Sequence, residues 1–386
     1  MRRRSDAMTH DIAIAIAGRT DVGRMRDHNE DAFLVADLSV DGATPGVGAA
    51  PLGPRGVLLM VADGMGGAAA GEVASAMAIE TVLEELRARW IASDADDADH
   101  FAHALREATE AANQRLHAHA RSQPGMKGMG TTATIVGVLG PWAFLAQVGD
   151  SRAYLVRDGI ATQLTKDQSL MQRLIDAGEI TEEQAAVSER RNIILQALGP
   201  EPRVRVDLTA QHLCRGDVLV LCSDGLSGQV RAQEIATEIT ATSDLDAACA
   251  ALIARANAAG GPDNITVVAA RLDGMALPAE ADTPPGHRAY VGEQAARATQ
   301  RVDRTSLAAI AATPERADAA PAAVSAPSNV TPSPEPMTDG ATATADRPRR
   351  RTSEMLEAED EALLSPRTAF ALLAVGALVV ALWFLR

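Results

Sequence analysis

The chain has 386 residues, enough for one large domain or two ordinary ones, and 47% of them are apolar, enough to bury a substantial core. Its net charge of −15 argues against nucleic acid as a partner, because phosphate backbones are bound by basic surfaces. Its three cysteines are widely spaced, match no metal-knuckle pattern and are typical of a reducing compartment. Near the start, DIAIAIAG is too short and too alternating for a signal-peptide core, and it predicts a first strand.

Periodic apolar segments separated by turn signals continue from there to residue 272. They predict strands at 12–17, 31–38 and 56–62, helices at 71–90 and 100–121, strands at 132–139 and 143–149, a hairpin of 152–157 with 160–164, short helices within 168–198, strands at 203–209 and 217–222, helices at 232–240 and 244–258, and a strand at 264–271. Short turns between neighbouring strands indicate antiparallel sheets. Helices that arrive in pairs indicate that they cover the sheet faces, so we expect an α+β domain over residues 11–272.

The composition changes near residue 273. Residues 273–366 are rich in Ala, Pro, Thr and acidic residues and lack sustained apolar periodicity, which predicts a disordered linker; a small helical domain around 291–311 is the alternative. Residues 368–385 form an apolar run that predicts a single transmembrane helix, with a helix packed on the domain as the alternative. Arginines gather before this run, so the positive-inside rule predicts an anchor in the inner (cytoplasmic) membrane with the preceding domain in the cytoplasm.

Acidic residues lie at the ends of the predicted strands. Asp63 follows VLLMVA, Asp150 follows FLAQVG, Asp224 follows VLVLCS, Asp263 precedes ITVVAA, and the pair Glu30-Asp31 opens the second strand. Each alone is weak evidence, since Asp-Gly is common turn chemistry. However, a carboxylate at the end of a buried apolar strand must be solvated, hydrogen-bonded or metal-bound. Several such ends, if they converge, concentrate negative charge that cations would relieve.

The type of ligand indicates the type of metal. Sites built only from oxygen suit the hard ions Mg²⁺ and Mn²⁺, and the chain has no His/Cys cluster with the spacing of a zinc site. Two hard ions that share a carboxylate are suited to activating water for in-line attack on phosphorus.

Eight sequence segments carry a resemblance to a known family. In chain order they are TDVGRMRDHNEDAF, VADGMGGAAAGEVAS, GMGTTAT, QVGDSRAYL, LTKDQSL, RRNIILQALG, LVLCSDGLS and GPDNITVV. In this order and spacing they resemble the PPM-type (type 2C) protein phosphatases in their bacterial form, over about residues 11–272. The resemblance implies an α-β-β-α sandwich, in which two antiparallel sheets are flanked by helices and the metals lie at one edge.

The resemblance also implies an activity. It predicts hydrolysis of phosphoserine and phosphothreonine in proteins by metal-activated water, with two Mn²⁺ or Mg²⁺ ions per site and a third, weaker site in bacterial members. The expected partners are phosphorylated proteins, a serine/threonine kinase as the functional opponent, and the membrane through residues 368–385. Three alternatives stay open: a catalytically silent binding module on the same fold, a phosphatase for a small signalling molecule, and a membrane-tethered scaffold.

Metal ligands follow from the resemblance position by position. Asp63 would bridge two ions, and Gly64 would lend its backbone carbonyl to the first. Asp224 and Asp263 would hold the second ion. Asp150 matches the ligand of the third.

Other residues would support these ligands. Glu30 and Asp31 would order metal-bound waters, and Arg26 matches the phosphate-binding arginine, whose guanidinium fork pairs well with a phosphoryl group. Asn264 would support the site, and residues 168–198 match a flap beside it.

Two departures from the family pattern affect the expected chemistry. Met65 and Ala68 stand where many relatives have histidine, so general acid work would fall to a metal-bound water. The flap motif usually carries histidine where this chain has Gln168.

Overall fold

The computed structural model describes residues 11–40 and 48–292. The strands among them are β1 (Ala13–Asp21), β2 (Asp31–Asp37), β3 (Gly48–Pro51), β4 (Val57–Met65), β5 (Gly130–Thr131), β6 (Ala133–Leu139), β7 (Trp142–Val148), β8 (Arg152–Arg157), β9 (Ile160–Gln163), β10 (Asp207–His212), β11 (Val218–Cys222) and β12 (Ile265–Asp273). The α-helices are α1 (Ala68–Leu86), α2 (Ala98–Ser122), α3 (Leu170–Asp176), α4 (Glu182–Ala186), α5 (Asp224–Ser227), α6 (Ala232–Ala241) and α7 (Leu245–Ala258). A π-helical turn, Arg87–Ile91, continues α1, and a 3-10 turn, Pro124–Met126, follows α2.

The strands form two antiparallel sheets. The first has the order β3-β1-β12-β11-β8-β9, and the second has the order β10-β7-β6-β4-β2, with β5 paired to the end of β4. The connections from β1 to β2 and from β7 to β8 therefore cross from one sheet to the other. These crossings carry several of the predicted site residues.

Helices cover both outer faces, as the resemblance implies. One apolar cluster lies between the sheets, and it includes Ile14, Leu59, Val136, Leu221 and Val268. A second joins α1 and α2 to the second sheet, and it includes Ala78, Val82, Phe101, Met60 and Ile135. A third joins α6 and α7 to the first sheet, and it includes Ile235, Leu252, Val220 and Val267. The predicted α-β-β-α layering is confirmed for the described residues.

Local sequence explains these elements. The face of α1 that meets the sheet carries small and aliphatic residues four positions apart, namely Ala74, Ala78, Val82 and Leu86, and all are fully buried. The hairpin of β8 and β9 turns at Asp158 and Gly159, whose φ angles of 51° and 75° suit the tight turn that Asp-Gly favours.

The residues that follow β12 also pack on the domain, although the predicted domain ends at 272. Leu277 is 2% exposed and joins the cluster between the sheets. Farther on, the backbone N–H of Tyr290 donates to the carbonyl of Leu208 at 2.8 Å, and that of Ala210 donates to Arg288 at 3.3 Å. Residues 284–292 thus cover the open edge of β10.

Some elements differ from those predicted. The predicted strand 203–209 begins late, at Asp207, and the short strands β3 and β5 and the short helix α5 were not predicted. The N–H of Arg205 donates to the Gln196 side chain at 2.9 Å instead of to a neighbouring strand.

Within the ranges 11–40 and 48–292, no helix combines the length and the apolar character needed to cross a membrane. The predicted transmembrane segment 368–385 and residues 293–366 of the predicted linker lie outside the described residues, as does nearly all of the alternative helical domain at 291–311.

Candidate metal centre

Asp63 and Asp31 lie side by side in the second sheet. They are paired positions of β4 and β2, where the two strands run antiparallel. Strand β4 continues through Gly64 to Met65 because β5 pairs with its end, so Asp63 lies inside the strand rather than after it. The two carboxylates therefore enter the site from adjacent strands.

Thr132 fixes the backbone of Asp63 and links it to Asp150 through Ser151. Its N–H donates to the Asp63 carbonyl at 2.9 Å, and its hydroxyl accepts from the Asp63 N–H at 2.9 Å. The same hydroxyl lies 2.8 Å from the hydroxyl of Ser151. Because Ser151 follows Asp150 in the crossing from β7 to β8, Thr132 brings Asp150 to the same edge as Asp63.

Asp31 joins the two sheets. Its Oδ2 accepts from the hydroxyls of Ser223 and Thr266, each at 2.7 Å. Ser223 directly precedes Asp224 at the end of β11, and Thr266 lies near the start of β12. This pair of hydrogen bonds therefore holds Asp224 of the first sheet close to the carboxylates of the second.

Asn264 organises the loops around the site. Its side-chain oxygen accepts from the N–H of Glu30 at 2.8 Å, and its side-chain nitrogen donates to the carbonyls of Val22 and His28 at 2.9 and 2.8 Å. The crossing from β1 to β2 is thus attached to the start of β12.

The Glu30 side chain lies against the first turn of α1. A methyl group added at Gly71 would come within 2.1 Å of Glu30 Oε2, so a larger residue there would displace this carboxylate.

Arg26 forms a salt bridge at the rim of the site. Its Nη2 lies 2.8 Å from Oδ2 of Asp263, with the side chains 48% and 26% exposed. The predicted phosphate ligand and one predicted metal ligand are therefore direct neighbours, and the guanidinium is open to solvent.

Among the described residues, three buried carboxylate oxygens have no hydrogen-bond partner: Asp31 Oδ1, Asp150 Oδ1 and Asp224 Oδ1. A buried, unpaired carboxylate oxygen is costly, and a hard cation is a natural partner for it. Across the described parts of the chain, no three His, Cys, Asp or Glu side chains form a closed ligand cluster. The fit to a cation therefore rests on these unpartnered oxygens and on the electrostatics, rather than on coordination geometry.

The electrostatics agree with a cation site. Burial, with added repulsion from Asp224, raises the pKa of Asp31 and that of Asp150 to about 7. Burial raises the pKa of Asp63 well above its usual value, and the charges of Asp31, Asp224 and Asp150 raise it further. Burial and then the charge of Asp263 raise the pKa of Asp224, and burial raises that of Glu30. Bound divalent cations would counteract these shifts, because their charge favours the ionised carboxylates.

Sequence reasoning missed the hydroxyl residues Thr132, Ser223 and Thr266. Ser223 and Thr266 lie within two residues of Asp224 and Asn264, whereas Thr132 is far from every site residue in the sequence. Small polar residues near strand ends are common and carry no distinctive periodicity. A cavity of about 380 Å³ elsewhere, lined by residues such as Val156, Ile239 and Arg271, contains none of the site residues.

Comparison with known proteins places this site in a family. The family model described as Protein phosphatase 2C matches residues 50–265. The serine/threonine phosphatase Stp of Listeria monocytogenes is 35% identical over 255 residues, which are 66% of this chain and 94% of that protein. The serine/threonine protein phosphatase PstP of Mycobacterium tuberculosis is 38% identical over 260 residues, which are 67% of this chain and 45% of that protein.

A solved structure agrees with the fold. The catalytic domain of PstP in complex with two manganese ions is 35% identical and superposes with a TM-score of 0.56, covering 68% of this chain and 99% of that one. The family match extends over more than half of the chain and includes Asp63, Asp150, Asp224 and Asp263. The chain belongs to the protein phosphatase 2C family.

Proposed function

We propose that the chain hydrolyses phosphoserine and phosphothreonine in proteins, with two divalent cations, Mn²⁺ or Mg²⁺, and water as the nucleophile. The observation that carries this proposal is the gathering of buried aspartates from both sheets, three of which keep an unpartnered oxygen. The relative that was solved with two manganese ions supports the number and the kind of ion.

The proposed ligands are the predicted ones. Asp63, the carbonyl of Gly64, Asp224 and Asp263 would hold the two ions, and Asp150 would hold a third. When bound, such ions activate water and neutralise charge on the phosphoryl group. Asp31 holds the two sheets together through Ser223 and Thr266, so its proposed part is to fix the frame and to orient water beside Glu30.

Arg26 would bind the phosphoryl group. Its guanidinium is half exposed and can turn from Asp263 towards an incoming dianion, with which it can form two parallel hydrogen bonds. The loop that carries it is fixed by Asn264, which limits how far the guanidinium must move.

A substrate panel tests this proposal. Purified protein with Mn²⁺ should release phosphate from phosphoserine and phosphothreonine peptides with a higher kcat/KM than from phosphotyrosine peptides or small phosphate esters. A preference for small esters would favour the small-molecule alternative, and phosphopeptide binding without turnover would favour the silent binding module.

The biological setting is also a proposal. A serine/threonine kinase that creates the substrates would be the functional opponent. Comparing the phosphoproteome of a deletion strain with that of the wild type would identify the shared substrates, and unchanged phosphorylation would contradict this role.

The C-terminal run 368–385 supports a membrane location with the catalytic domain in the cytoplasm. Its sequence is apolar on all sides, and arginines precede it. Fractionation of the full-length protein beside a protein ending at Pro366 tests the anchor. Full-length protein that stays in the soluble fraction would contradict it.

A further inference from the structure

Gln168, the first residue of the segment 168–198, holds Gly149 from two sides. Its side-chain Oε1 accepts from the N–H of Gly149 at 3.0 Å, and its own N–H donates to the carbonyl of Gly149 at 2.9 Å. Its side-chain nitrogen lies 3.3 Å from the carbonyl of Gln147. Gln168 therefore holds the peptide groups on both sides of Gly149, the preceding one with its side chain and the one that leads into Asp150 with its backbone N–H, and the Gln147 side chain also donates to the Gly149 carbonyl at 3.2 Å.

The backbone at Gly149 has little freedom of its own. Its φ angle is 101°, a conformation that favours glycine, and a methyl group added there would lie 2.6 Å from the side chain of Thr132. Asp150 follows directly, is 6% exposed, and keeps the unpartnered Oδ1. The direction of this carboxylate is thus set by the peptide that Gln168 holds.

The same residue also holds the returning arm of the segment. The carbonyl of Gln168 accepts from the N–H of Leu195 at 2.8 Å, and the N–H of Leu170 donates to the carbonyl of Ile193 at 2.9 Å. Between these contacts the segment is largely exposed, with Val187 at 81%. Gln168 therefore lies between the exposed segment and the peptide that leads into Asp150.

We propose that Gln168 is a positioning residue that couples the placement of residues 168–198 to the Asp150 carboxylate, by holding the Gly149 peptide. The proposal rests on the proposed function in that Asp150 is taken as a cation ligand. The amide suits this place because it offers an acceptor to the Gly149 N–H and a donor to the Gln147 carbonyl without adding charge beside Asp150.

Hydrogen exchange and Mn²⁺ binding in the full-length protein test the proposal. Gln168→Ala removes the acceptor, so exchange at the Gly149 amide should quicken by about two- to tenfold in the metal-free protein. Calorimetric Mn²⁺ binding should weaken by a similar factor, and the Mn²⁺ concentration that half-saturates phosphopeptide turnover should rise with it. Gln168→Glu keeps an acceptor and should retain the slow exchange of the Gly149 amide.

Gln172→Ala is the matched control. Gln172 lies in the same segment, and its side chain donates a hydrogen bond to Asp176 within α3 at 3.0 Å. All three readouts should therefore stay at the wild-type level in Gln172→Ala. Unchanged exchange at Gly149 in Gln168→Ala, or faster exchange with unchanged Mn²⁺ binding, would overturn the proposal. Wild-type protein without Mn²⁺-dependent turnover would instead count against the proposed function, while the exchange measurement would still test the hold on Gly149.

Discussion

Single aspartates in this domain differ in what surrounds them. Asp31, Asp150 and Asp224 each have a buried carboxylate oxygen that no group in the described part of the chain satisfies, and their charges surround Asp63. Asp217 is also buried, at 1% exposure, but its carboxylate is paired with Arg157 at 2.6 Å. The crowded, unpaired aspartates destabilise the metal-free fold, whereas the ion pair of Asp217 stabilises it. This contrast gives opposite predictions for the same change of Asp to Asn.

Asp63→Asn should lower phosphopeptide turnover by more than about a hundredfold, since residues that only support a metal ligand are already worth about ten- to a hundredfold. The same variant should unfold at a higher temperature than the wild type without metal, because a neutral amide is not repelled by Asp31, Asp224 and Asp150. Turnover assays and thermal unfolding in EDTA measure the two effects.

Asp217→Asn is the control for this pair of effects. It breaks a buried ion pair and should cost about 3 kcal/mol of stability, with activity retained in the molecules that fold. Near-normal turnover in folded Asp63→Asn protein would show that Asp63 is not a shared ligand.

Arg26→Ala should lower kcat/KM for phosphopeptides by about ten- to a hundredfold, because a hydrogen bond to a charged group is worth roughly 1.5 to 3 kcal/mol. Mn²⁺ affinity should change less, since the neighbouring carboxylate of Asp263 is still present. Arg24→Ala is the control on the same loop, as Arg24 meets Gly261 through its backbone N–H at 2.7 Å. Unchanged kcat and KM in Arg26→Ala would remove Arg26 from the phosphate site.

The raised pKa values predict how the metal-free protein responds to pH. The pKa of Asp31 and that of Asp150 rise from 3.8 to about 7 on folding, because the site buries them. Between these values the folded state binds more protons than the unfolded state, so the free energy of unfolding should fall as pH rises from about 4 to about 7. Urea unfolding in EDTA measures this slope, and Asp150→Asn should reduce it. Stability that increases over this interval would contradict the assignment.

At the scale of elements, residues 284–292 protect the second sheet. They hydrogen-bond to β10, which would otherwise expose an unpaired edge, and the ring of Tyr290 packs edge-on against Phe144 with centroids 5.4 Å apart. The sequence of this segment has no alternation that would predict a strand. Its place is determined by tertiary packing rather than by local pattern.

A protein that ends at residue 272 should therefore be less stable than one that ends at 292. The shorter protein loses the burial of Leu277 and the packing of Tyr290, which together are worth about 3 kcal/mol. Urea denaturation of the two proteins measures the difference, with activity per folded molecule expected to be equal. Equal unfolding midpoints would show that residues 273–292 add nothing to the stability of the fold.

Elements with strong local patterns were predictable. The apolar run VLLMVA predicted β4, and Asp158-Gly159 predicted the turn between β8 and β9. The alternation at 203–209 also resembles a strand, but the backbone N–H of Arg205 donates to the Gln196 side chain instead. Tertiary contacts decided this case, and no local signal reports them.

At the scale of the whole molecule, the acidic residues of the site were predictable because eight ordered motifs resemble one family. The hydroxyls that join the two sheets were not. The bond from Ser223 to Asp31 links residues 192 positions apart in the chain, and the bond from Thr266 links residues 235 positions apart. A single sequence contains no signal for such pairs. The sequence also shows that Gln168 stands where the family usually has histidine, but it contains no signal for the contact between Gln168 and Gly149.

The central claim is that aspartates from two sheets hold divalent cations for hydrolysis of phosphoproteins. It is tested most directly by phosphate release from a phosphothreonine peptide, measured with the purified full-length protein in Mn²⁺, in EDTA, and in EDTA followed by excess Mn²⁺. The account predicts turnover in Mn²⁺, none in EDTA, and recovery when Mn²⁺ is restored. Full activity in EDTA would contradict it.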